Sequence, residues 1–180
     1  MIKQYLFTSE RLGFRNWQKN DLSQFTKMNA DKSVMKYFPK LLTEKQTLEF
    51  ILLHQKQYTE KGYCYFAVDL IDSGKFIGFI GLGFHSYKSK YTPAIDIGWR
   101  LNKNAWGNGY ATEGAKKCLE YAFEQLNIDR IISICPEINR NSENVMKKIG
   151  MKKLGDFYHP KLKGYPDIEK CVCYEISNEM

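Results

Sequence analysis

The segment from Asn104 to Thr112 has the residue types of a turn that binds a diphosphate. Gly107 and Gly109 let the backbone approach a bulky anion, and the segment lies between a predicted strand and the start of a strongly amphipathic helix. The free N–H groups of a first helical turn, with the positive end of the helix dipole, favour such a ligand. Two spaced glycines are a weak signal alone, and a tight strand-to-helix turn without a ligand explains them equally well.

Two widespread phosphate motifs are excluded by residues that this turn lacks. No Gly-Lys-Ser or Gly-Lys-Thr follows the glycines, which excludes a P-loop. Thr112 stands where a dinucleotide fingerprint requires its third glycine. A pyrophosphate fits the turn without either framework.

Asp96 is the carboxylate best placed for proton transfer. It lies in a predicted strand, 94–101, in which apolar and polar side chains alternate. It shares one face with Gly98 and Arg100, so the carboxylate lies beside bare backbone. This placement makes Asp96 a candidate general base, acting directly or through water. An exposed strand carboxylate without a catalytic role is the open alternative.

Strands and helices must position these residues, and their signals alternate along the chain. Segments 63–71 and 75–84 predict a hairpin joined by Asp72-Ser73-Gly74, followed by a loop over 85–92. A first strand is predicted over 11–17, and further short strands over 130–135, 151–158 and 168–176.

Helices are predicted from Asp21, from Thr43 to about Lys61, after Gly109, and over 141–149. Thr43 and Gln46 have the spacing of a capping box. The buried stripe of this second helix is predicted from its apolar residues Leu48, Ile51, Leu52 and Tyr58. Mixed elements of this kind require a sheet with both parallel and antiparallel neighbours.

Length and composition favour one soluble domain over 1–180 with its core at about 9–176. No apolar run is long enough to span a bilayer, and Met1 to Thr8 lacks the design of a secretory signal, so a cytoplasmic location is expected. The five cysteines form no CxxC pair and the histidines share no ligand spacing, so buried thiols and no metal site are expected. The net charge of +7 is spread over scattered lysines, which does not favour a dedicated nucleic-acid surface.

Several motifs together resemble the GNAT superfamily of N-acetyltransferases, in particular the branch of the ribosomal-protein N-terminal acetyltransferases. The resemblance covers residues from about Ser9 to Ile176. The residues that carry it are Thr8-Ser9-Glu10-Arg11-Leu12 with Arg15, Ile97-Gly98-Trp99-Arg100-Leu101, Trp106-Gly107-Asn108-Gly109-Tyr110-Ala111-Thr112-Glu113, Asn139-Arg140-Asn141-Ser142 and Lys147-Lys148-Ile149-Gly150-Met151.

The resemblance implies a GNAT-like α/β fold, a central mixed twisted sheet of about six to seven strands flanked by about four helices. In that fold the strands at 94–101 and 130–135 splay apart, and the pantetheine arm of acetyl-CoA enters the gap. Backbone groups of Ile97 and Trp99 would pair with that arm, and Asn139 would contact the cofactor. The pyrophosphate would be held by the turn and first helical residues Trp106, Gly107, Asn108, Gly109, Tyr110, Ala111 and Thr112.

Two departures from the family pattern concern the cofactor. Asn104 stands where the family usually has Arg or Gln, which removes a longer side-chain contact to phosphate. An extra residue within Pro136-Glu137-Ile138 precedes Asn139. Asn104 remains a candidate cofactor-binding residue.

The resemblance also suggests that Ser142 returns a proton to the departing thiolate. A serine hydroxyl is a poor acid, so Ser142 would act as a relay to solvent. Asn139, Asn141 and Ser142 are all good N-cap residues for the following helix, and capping explains them without catalysis.

The expected activity is direct transfer of acetyl from acetyl-CoA to a primary amine, either a protein N-terminus or a small molecule, with a ribosomal-protein N-terminus as one candidate acceptor. A catalytically weak acyl-CoA-binding regulatory module is the alternative, and a basic RNA- or ribosome-associated protein is a third hypothesis. No membrane partner is expected, and the exposed ends of the sheet permit a homodimer without requiring one.

Overall fold

The structure, a computed structural model, describes residues 4–178 and is built around one sheet of eight strands in the order β1-β2-β3-β4-β5-β6-β8-β7. The strands are β1 Phe7–Thr8, β2 Leu12–Arg15, β3 Tyr65–Leu70, β4 Phe76–Ser89, β5 Thr92–Leu101, β6 Arg130–Pro136, β7 Lys152–Tyr158 and β8 Lys170–Ser177. The α-helices are α1 Asp21–Asn29, α2 Glu44–Lys61, α3 Tyr110–Glu120 and α4 Arg140–Lys148. Residues 1–3 and 179–180 of the predicted domain lie outside the described range.

The sheet is mixed, as predicted, because β5 and β6 run parallel while every other neighbouring pair is antiparallel. The predicted strands correspond to β2 through β8. The additional strand, β1, is a two-residue pairing of Phe7 and Thr8 with β2, too short to produce an alternating pattern. The fold therefore has one strand more than the six to seven expected.

Two hydrophobic clusters lie on opposite faces of the sheet. One face packs against α3 and α4, with Ala115, Cys118 and Met146 among its buried contacts. The other packs against α1 and α2, with Phe25 and Ile51 buried there. All five cysteines are buried free thiols, as expected. None of the helices between residues 4 and 178 is long and apolar enough to cross a membrane.

Helix α2 begins at the predicted capping box, in which the Thr43 side chain and the Gln46 side chain each accept from the other's backbone N–H. Its predicted buried stripe is confirmed at Ile51 but wrong at Leu48 and Leu52, which are 40% and 54% exposed. The buried residues are Thr47, Ile51 and His54.

Tertiary hydrogen bonds explain this polar buried face. Thr47 Oγ1 accepts from Asn29 Nδ2 at 3.1 Å, and His54 Nδ1 accepts from the Tyr65 N–H at 3.4 Å. Polar groups that have hydrogen-bond partners can be buried. The spacing of apolar residues therefore did not predict the buried face of α2.

Strand β4 continues to Ser89, so the loop predicted from His85 begins later than expected. Its second half alternates between exposed and half-buried residues and stays paired with β5, with His85 opposite Ala94 and Ser89 opposite Thr92. Because alternate residues share a face of a strand, this extension places His85 and Tyr87 on the same face as Asp96.

A buried ion cluster joins β2, β3 and α1. Arg15 lies 2.7 Å from Asp69 through Nε and 2.7 Å from Asp21 through Nη1, and all three residues are nearly inaccessible to solvent. Burial alone would lower the pKa of Arg15, but the two carboxylates outweigh it and raise that pKa above its ordinary value. The cluster fixes the first strand and first helix to the centre of the sheet.

Substituting Arg15→Ala is expected to lower the free energy of unfolding by about 3–5 kcal/mol, because it removes a buried cation that pairs with two buried carboxylates. Arg130→Ala is the matched control, since its ion pair with Glu175 is solvent-exposed and such pairs contribute about 0–1 kcal/mol. Urea denaturation measures both variants. Equal losses would show that the buried cluster does not stabilise the fold.

Candidate functional site

The candidate site lies where the parallel strands β5 and β6 separate. The two strands share one register pair, Asp96 opposite Ile132, and beyond it they diverge toward their carboxyl ends. β5 then leads into the glycine turn, and β6 leads into the N-terminus of α4. Ligands of α/β sheets commonly bind in such a crevice, outside the carboxyl ends of parallel strands.

The edge of β5 along this cleft has a hydrogen-bonded carbonyl at each end, and the main chain between them is available for pairing. Ser133 Oγ donates to the Ile97 carbonyl at 2.8 Å, and Trp106 Nε1 donates to the Leu101 carbonyl at 2.9 Å. Backbone groups of alternate residues point to the same side of a strand, so the main chain of Trp99 faces the cleft as well. The register of β6 gives Trp99 no partner. A ligand can therefore pair with β5 at Trp99, whereas the Ile97 carbonyl already accepts a hydrogen bond.

The glycine turn is exposed and holds a shape that needs its glycines. Gly107 and Gly109 have φ of +78° and +81°, a region that other residues seldom adopt. A Cβ at Gly107 would meet no atom within 4 Å, so the space in front of the turn is open. Asn108 Nδ2 donates to the carbonyls of Ala105 and Trp106 at 3.3 and 3.0 Å, so this side chain shapes the turn from within.

The amides that open α3 are available to a ligand. Gly109 is the N-cap and supplies no side-chain cap, and the N–H groups of Tyr110, Ala111 and Thr112 have no acceptor within the helix. With the positive end of the helix dipole, they form a site suited to an anion. Asn104 is exposed, and its backbone N–H donates to Asn102 Oδ1 at 3.1 Å.

Arg11 is a cation at this site that the sequence analysis missed. Its guanidinium lies 4.6 Å from the centre of the Tyr110 ring, and a Cβ on Gly109 would lie 3.7 Å from its Nη2. Glu113 fixes it there, accepting from Arg11 Nε at 2.7 Å and from Ser9 Oγ at 2.7 Å. Glu113 therefore has a structural role. No local pattern reveals Arg11, because its position depends on a contact between distant segments.

Asn139 and Ser142 lie at the other mouth of the cleft. Asn139 is the N-cap of α4, and its Oδ1 accepts from the Ser142 N–H at 3.3 Å. Capping thus accounts for the Asn139 side chain but not for the Ser142 hydroxyl, which lies beside the Cys135 thiol. Burial raises the pKa of Cys135 to about 12 against the opposing effect of Ser142, so this thiol stays neutral.

Asp96 is 5% exposed, which rules out the alternative of an exposed strand carboxylate. Its Oδ1 accepts a hydrogen bond from the Tyr65 hydroxyl and lies 3.2 Å from His85 Nε2. Glycines make room for the tyrosine, because a Cβ on Gly83 or Gly98 would lie 2.8 or 3.2 Å from the Tyr65 ring. The bare backbone beside Asp96 is thus filled by an aromatic side chain from β3.

The protonation of His85 is set by Asp96. Burial lowers the pKa of His85, but the hydrogen bond and charge of Asp96 outweigh it and hold that pKa above 6.5. Tyr65 is held neutral, because burial and the adjacent carboxylate raise its pKa well above 10. Asp96 therefore favours the protonated form of His85.

A second histidine and a tyrosine lie beside this pair. The Tyr87 ring centre is 5.6 Å from that of His85 and 4.5 Å from that of His159. Burial, with the cations His85 and Lys161, lowers the pKa of His159 to about 4. Tyr87 lies within the loop predicted over 85–92 but belongs to β4.

Residues 4–178 contain no group of three or more histidines, cysteines, aspartates or glutamates arranged to hold a metal ion. The site consists instead of main-chain amides at the mouth of a cleft and a titratable pair at its base. This combination, in a mixed sheet whose parallel strands part, agrees with the acyltransferase fold that the sequence resemblance implies.

Comparison with known proteins gives the family. The model of the acetyltransferase (GNAT) domain matches residues 11–152, so the chain belongs to the GNAT family of N-acetyltransferases. The uncharacterized N-acetyltransferase YnaD of Bacillus subtilis (strain 168) is 37% identical over 151 residues, which cover 83% of this chain and 84% of YnaD.

Solved structures share the fold along nearly the whole chain. A GNAT-family acetyltransferase from Bacillus anthracis superposes with a TM-score of 0.80 at 31% identity, covering 96% of this chain and 98% of the other. RimL, a ribosomal L7/L12 alpha-N-protein acetyltransferase solved with coenzyme A, superposes with a TM-score of 0.78 at 14% identity, covering 97% and 98%. At that identity the second likeness concerns the fold alone.

Replacing Asp96 with asparagine should lower the pKa of His85 below 6.5, because burial then acts on the imidazole without an opposing charge. NMR titration of the histidine ring protons measures the change. His54, whose pKa is held near 4 by burial, provides an internal reference that should move little. An unchanged His85 titration in Asp96→Asn would show that the carboxylate does not control the histidine.

Proposed function

We propose that this protein transfers acetyl from acetyl-CoA directly to a primary amine, either a protein N-terminus or a small molecule. One observation carries the proposal. The amides of the glycine turn and the first turn of α3 lack intrahelical acceptors and face open space, at the mouth of a cleft whose base holds Asp96. An anionic carrier held at the turn can thus extend an acyl group toward a buried carboxylate.

The residues at the mouth fit the phosphates of coenzyme A. Main-chain N–H groups of residues 107–112 would hold the pyrophosphate, and Arg11 would add a positive charge beside Gly109. The Trp106 N–H contributes less, because it already donates to the Lys103 carbonyl at 3.1 Å. Trp99 would pair with the pantetheine arm as an added strand pairs with a sheet edge, and Asn139 lies at the opposite wall. Ile97 would contribute less to this pairing than Trp99, because Ser133 Oγ already donates a hydrogen bond to the Ile97 carbonyl. The coenzyme A complex of RimL, which shares this fold, supports the assignment.

Asp96 and His85 would accept the proton of the attacking amine. An α-amine has a pKa of about 7.7–8.0, compared with about 10.4 for a lysine side chain, so a terminal amine needs less assistance. Asp96 raises the pKa of His85, which makes the imidazole a stronger base. Tyr65 holds the carboxylate in place through its hydroxyl.

Acetyl-CoA supplies the acetyl group as a thioester, and the chain supplies hydrogen bonds around it. A main-chain N–H on the open edge of β5 near Trp99 would stabilise negative charge on the carbonyl oxygen. The Ser142 hydroxyl, which capping leaves unexplained, would deliver a proton to the departing sulfur as a relay from solvent.

The alternative of a catalytically weak acyl-CoA-binding module is less well supported. Asp96 is buried and hydrogen-bonded with a titratable histidine, an arrangement that cofactor binding alone does not require. The relatives are also named N-acetyltransferases. The acceptor itself is not identified by the fold; RimL, for example, is a ribosomal L7/L12 alpha-N-protein acetyltransferase.

Gly107→Glu should abolish acetyl-CoA binding and turnover, because it fills the cradle and places a negative charge where phosphate must lie. Calorimetry measures binding, and thiol release with a panel of amines and peptides measures turnover. Gly164→Glu is the matched control, because Gly164 also has a positive φ with nothing within 4 Å of a Cβ. Unchanged affinity in Gly107→Glu, or a wild-type protein that neither binds acetyl-CoA nor acetylates any acceptor, would refute the proposal.

Ser142→Ala should reduce kcat about tenfold to a hundredfold while leaving the affinity for acetyl-CoA within about twofold, since the hydroxyl acts on the leaving group. Steady-state kinetics and calorimetry separate the two quantities. Asn141→Ala, at an exposed position of the same helical turn, is the control and should retain activity. A full rate in Ser142→Ala would leave Ser142 as a structural residue.

A further inference from the structure

Arg100 differs from every other arginine of the chain. Each of the others pairs with a carboxylate: Arg11 with Glu113, Arg15 with Asp21 and Asp69, Arg130 with Glu175, and Arg140 with Glu143. Among residues 4–178, no carboxylate lies within 4 Å of the Arg100 guanidinium.

The contacts of Arg100 hold its guanidinium in place without neutralising it. Nη1 donates to Asn29 Oδ1 at 2.8 Å, while the rings of Phe38 and Phe79 lie 4.1 and 5.3 Å from the guanidinium carbon. Nε is buried without a hydrogen-bond partner. Burial lowers the pKa of Arg100 to about 10 against the opposing electrostatic effect of the Tyr65 hydroxyl. A cation in this condition gains from binding an anion.

A ligand can reach this guanidinium. The residue is only partly buried, and its other terminal nitrogen, Nη2, makes no hydrogen bond within the described residues. Phe38, which covers the guanidinium, is itself 39% exposed and belongs to the connection between α1 and α2. Arg100 thus lies on the face of the sheet that packs against α1 and α2, beside a partly exposed aromatic ring.

Arg100 also shares a face of β5 with Asp96, and Tyr65 links the two. The Tyr65 hydroxyl donates to Asp96, and Arg100 interacts electrostatically with the same hydroxyl. Four residues along a strand place the two Cα atoms about 13 Å apart, and both side chains extend into the same side of the sheet. Lys161, which acts electrostatically on His85 and His159, adds positive charge there.

We propose that Arg100 binds a carboxylate of the amine acceptor, so that the preferred acceptor is a primary amine that carries an acid several bonds away. The inference rests on the proposed function, with the amine at Asp96 and His85. The separation along β5 favours an acidic side chain near a peptide N-terminus, or a small amine with a remote carboxylate. It does not favour the carboxylate attached to the same carbon as the amine.

The test compares acceptors that differ only in charge. The peptides Ser-Glu-Ala-Ala and Ser-Gln-Ala-Ala, both with C-terminal amides, form one pair; 5-aminopentanoate and its amide form a second pair and represent the small-molecule source. Wild-type protein is expected to acetylate the acidic member of at least one pair with about 10- to 100-fold higher kcat/KM, since a charge-assisted hydrogen bond is of that strength. The pair that shows the preference identifies the source of the carboxylate.

Arg100→Gln should reduce this ratio to about one through a higher KM for the acidic acceptor, and Arg100→Lys should restore part of it because the charge returns. Arg130→Gln, which removes an exposed arginine far along the chain, should leave the ratio unchanged. The wild-type comparison needs no variant, so the test survives if Arg100→Gln fails to fold.

Two failures are distinguishable. Turnover with equal kcat/KM for acidic and neutral acceptors, or a preference that persists in Arg100→Gln, would overturn the carboxylate site and leave the acetyltransferase proposal intact. A wild-type protein that binds no acetyl-CoA and acetylates none of the acceptors would overturn both.

Discussion

The parting of β5 from β6 after their single register pair is the constraint on which the site depends. Parallel strands that stay paired would use the main chain of Trp99 in the sheet and leave no edge for a ligand. Because they diverge beyond Asp96 and Ile132, the β5 edge opens and two helix N-termini, those of α3 and α4, face one cleft. Ser133 holds the strands together at the base through the Ile97 carbonyl, so the opening has a fixed starting point.

The surroundings of Asp96 depend on glycines as much as on charged residues. Gly83 and Gly98 leave the surface of β4 and β5 bare, which lets the ring of Tyr65 cross it and reach Asp96. The carboxylate is then buried, yet two donors satisfy it, so its burial does not leave a polar group unpaired. The same arrangement raises the pKa of His85, so the packing of the sheet controls the protonation of this histidine.

The ion pairs of Arg11 and Arg15 hold separate segments of the chain in position. Arg15 with its two carboxylates fixes the first strand and helix, and Glu113 ties Ser9 and Arg11 to the start of α3. The second contact, between Glu113 and the segment of Ser9 and Arg11, also positions a cation beside the glycine turn. Arg100 is different, because its geometry is fixed by Asn29 and aromatic rings while its charge has no partner. That difference separates an arginine available to a ligand from arginines that serve the fold.

Local sequence signals determined most of the helices and strands and the glycine turn. The capping box at Thr43, the Asp72-Ser73-Gly74 hairpin and the spacing of Gly107 and Gly109 each depend on neighbouring residues, so they were predictable. The buried face of α2, the partners of Asp96 and the place of Arg11 were decided only by the tertiary structure. Each depends on a hydrogen bond or ion pair between segments far apart in the chain, such as His85 with Asp96 or Arg11 with Glu113, and periodicity carries no information about such contacts.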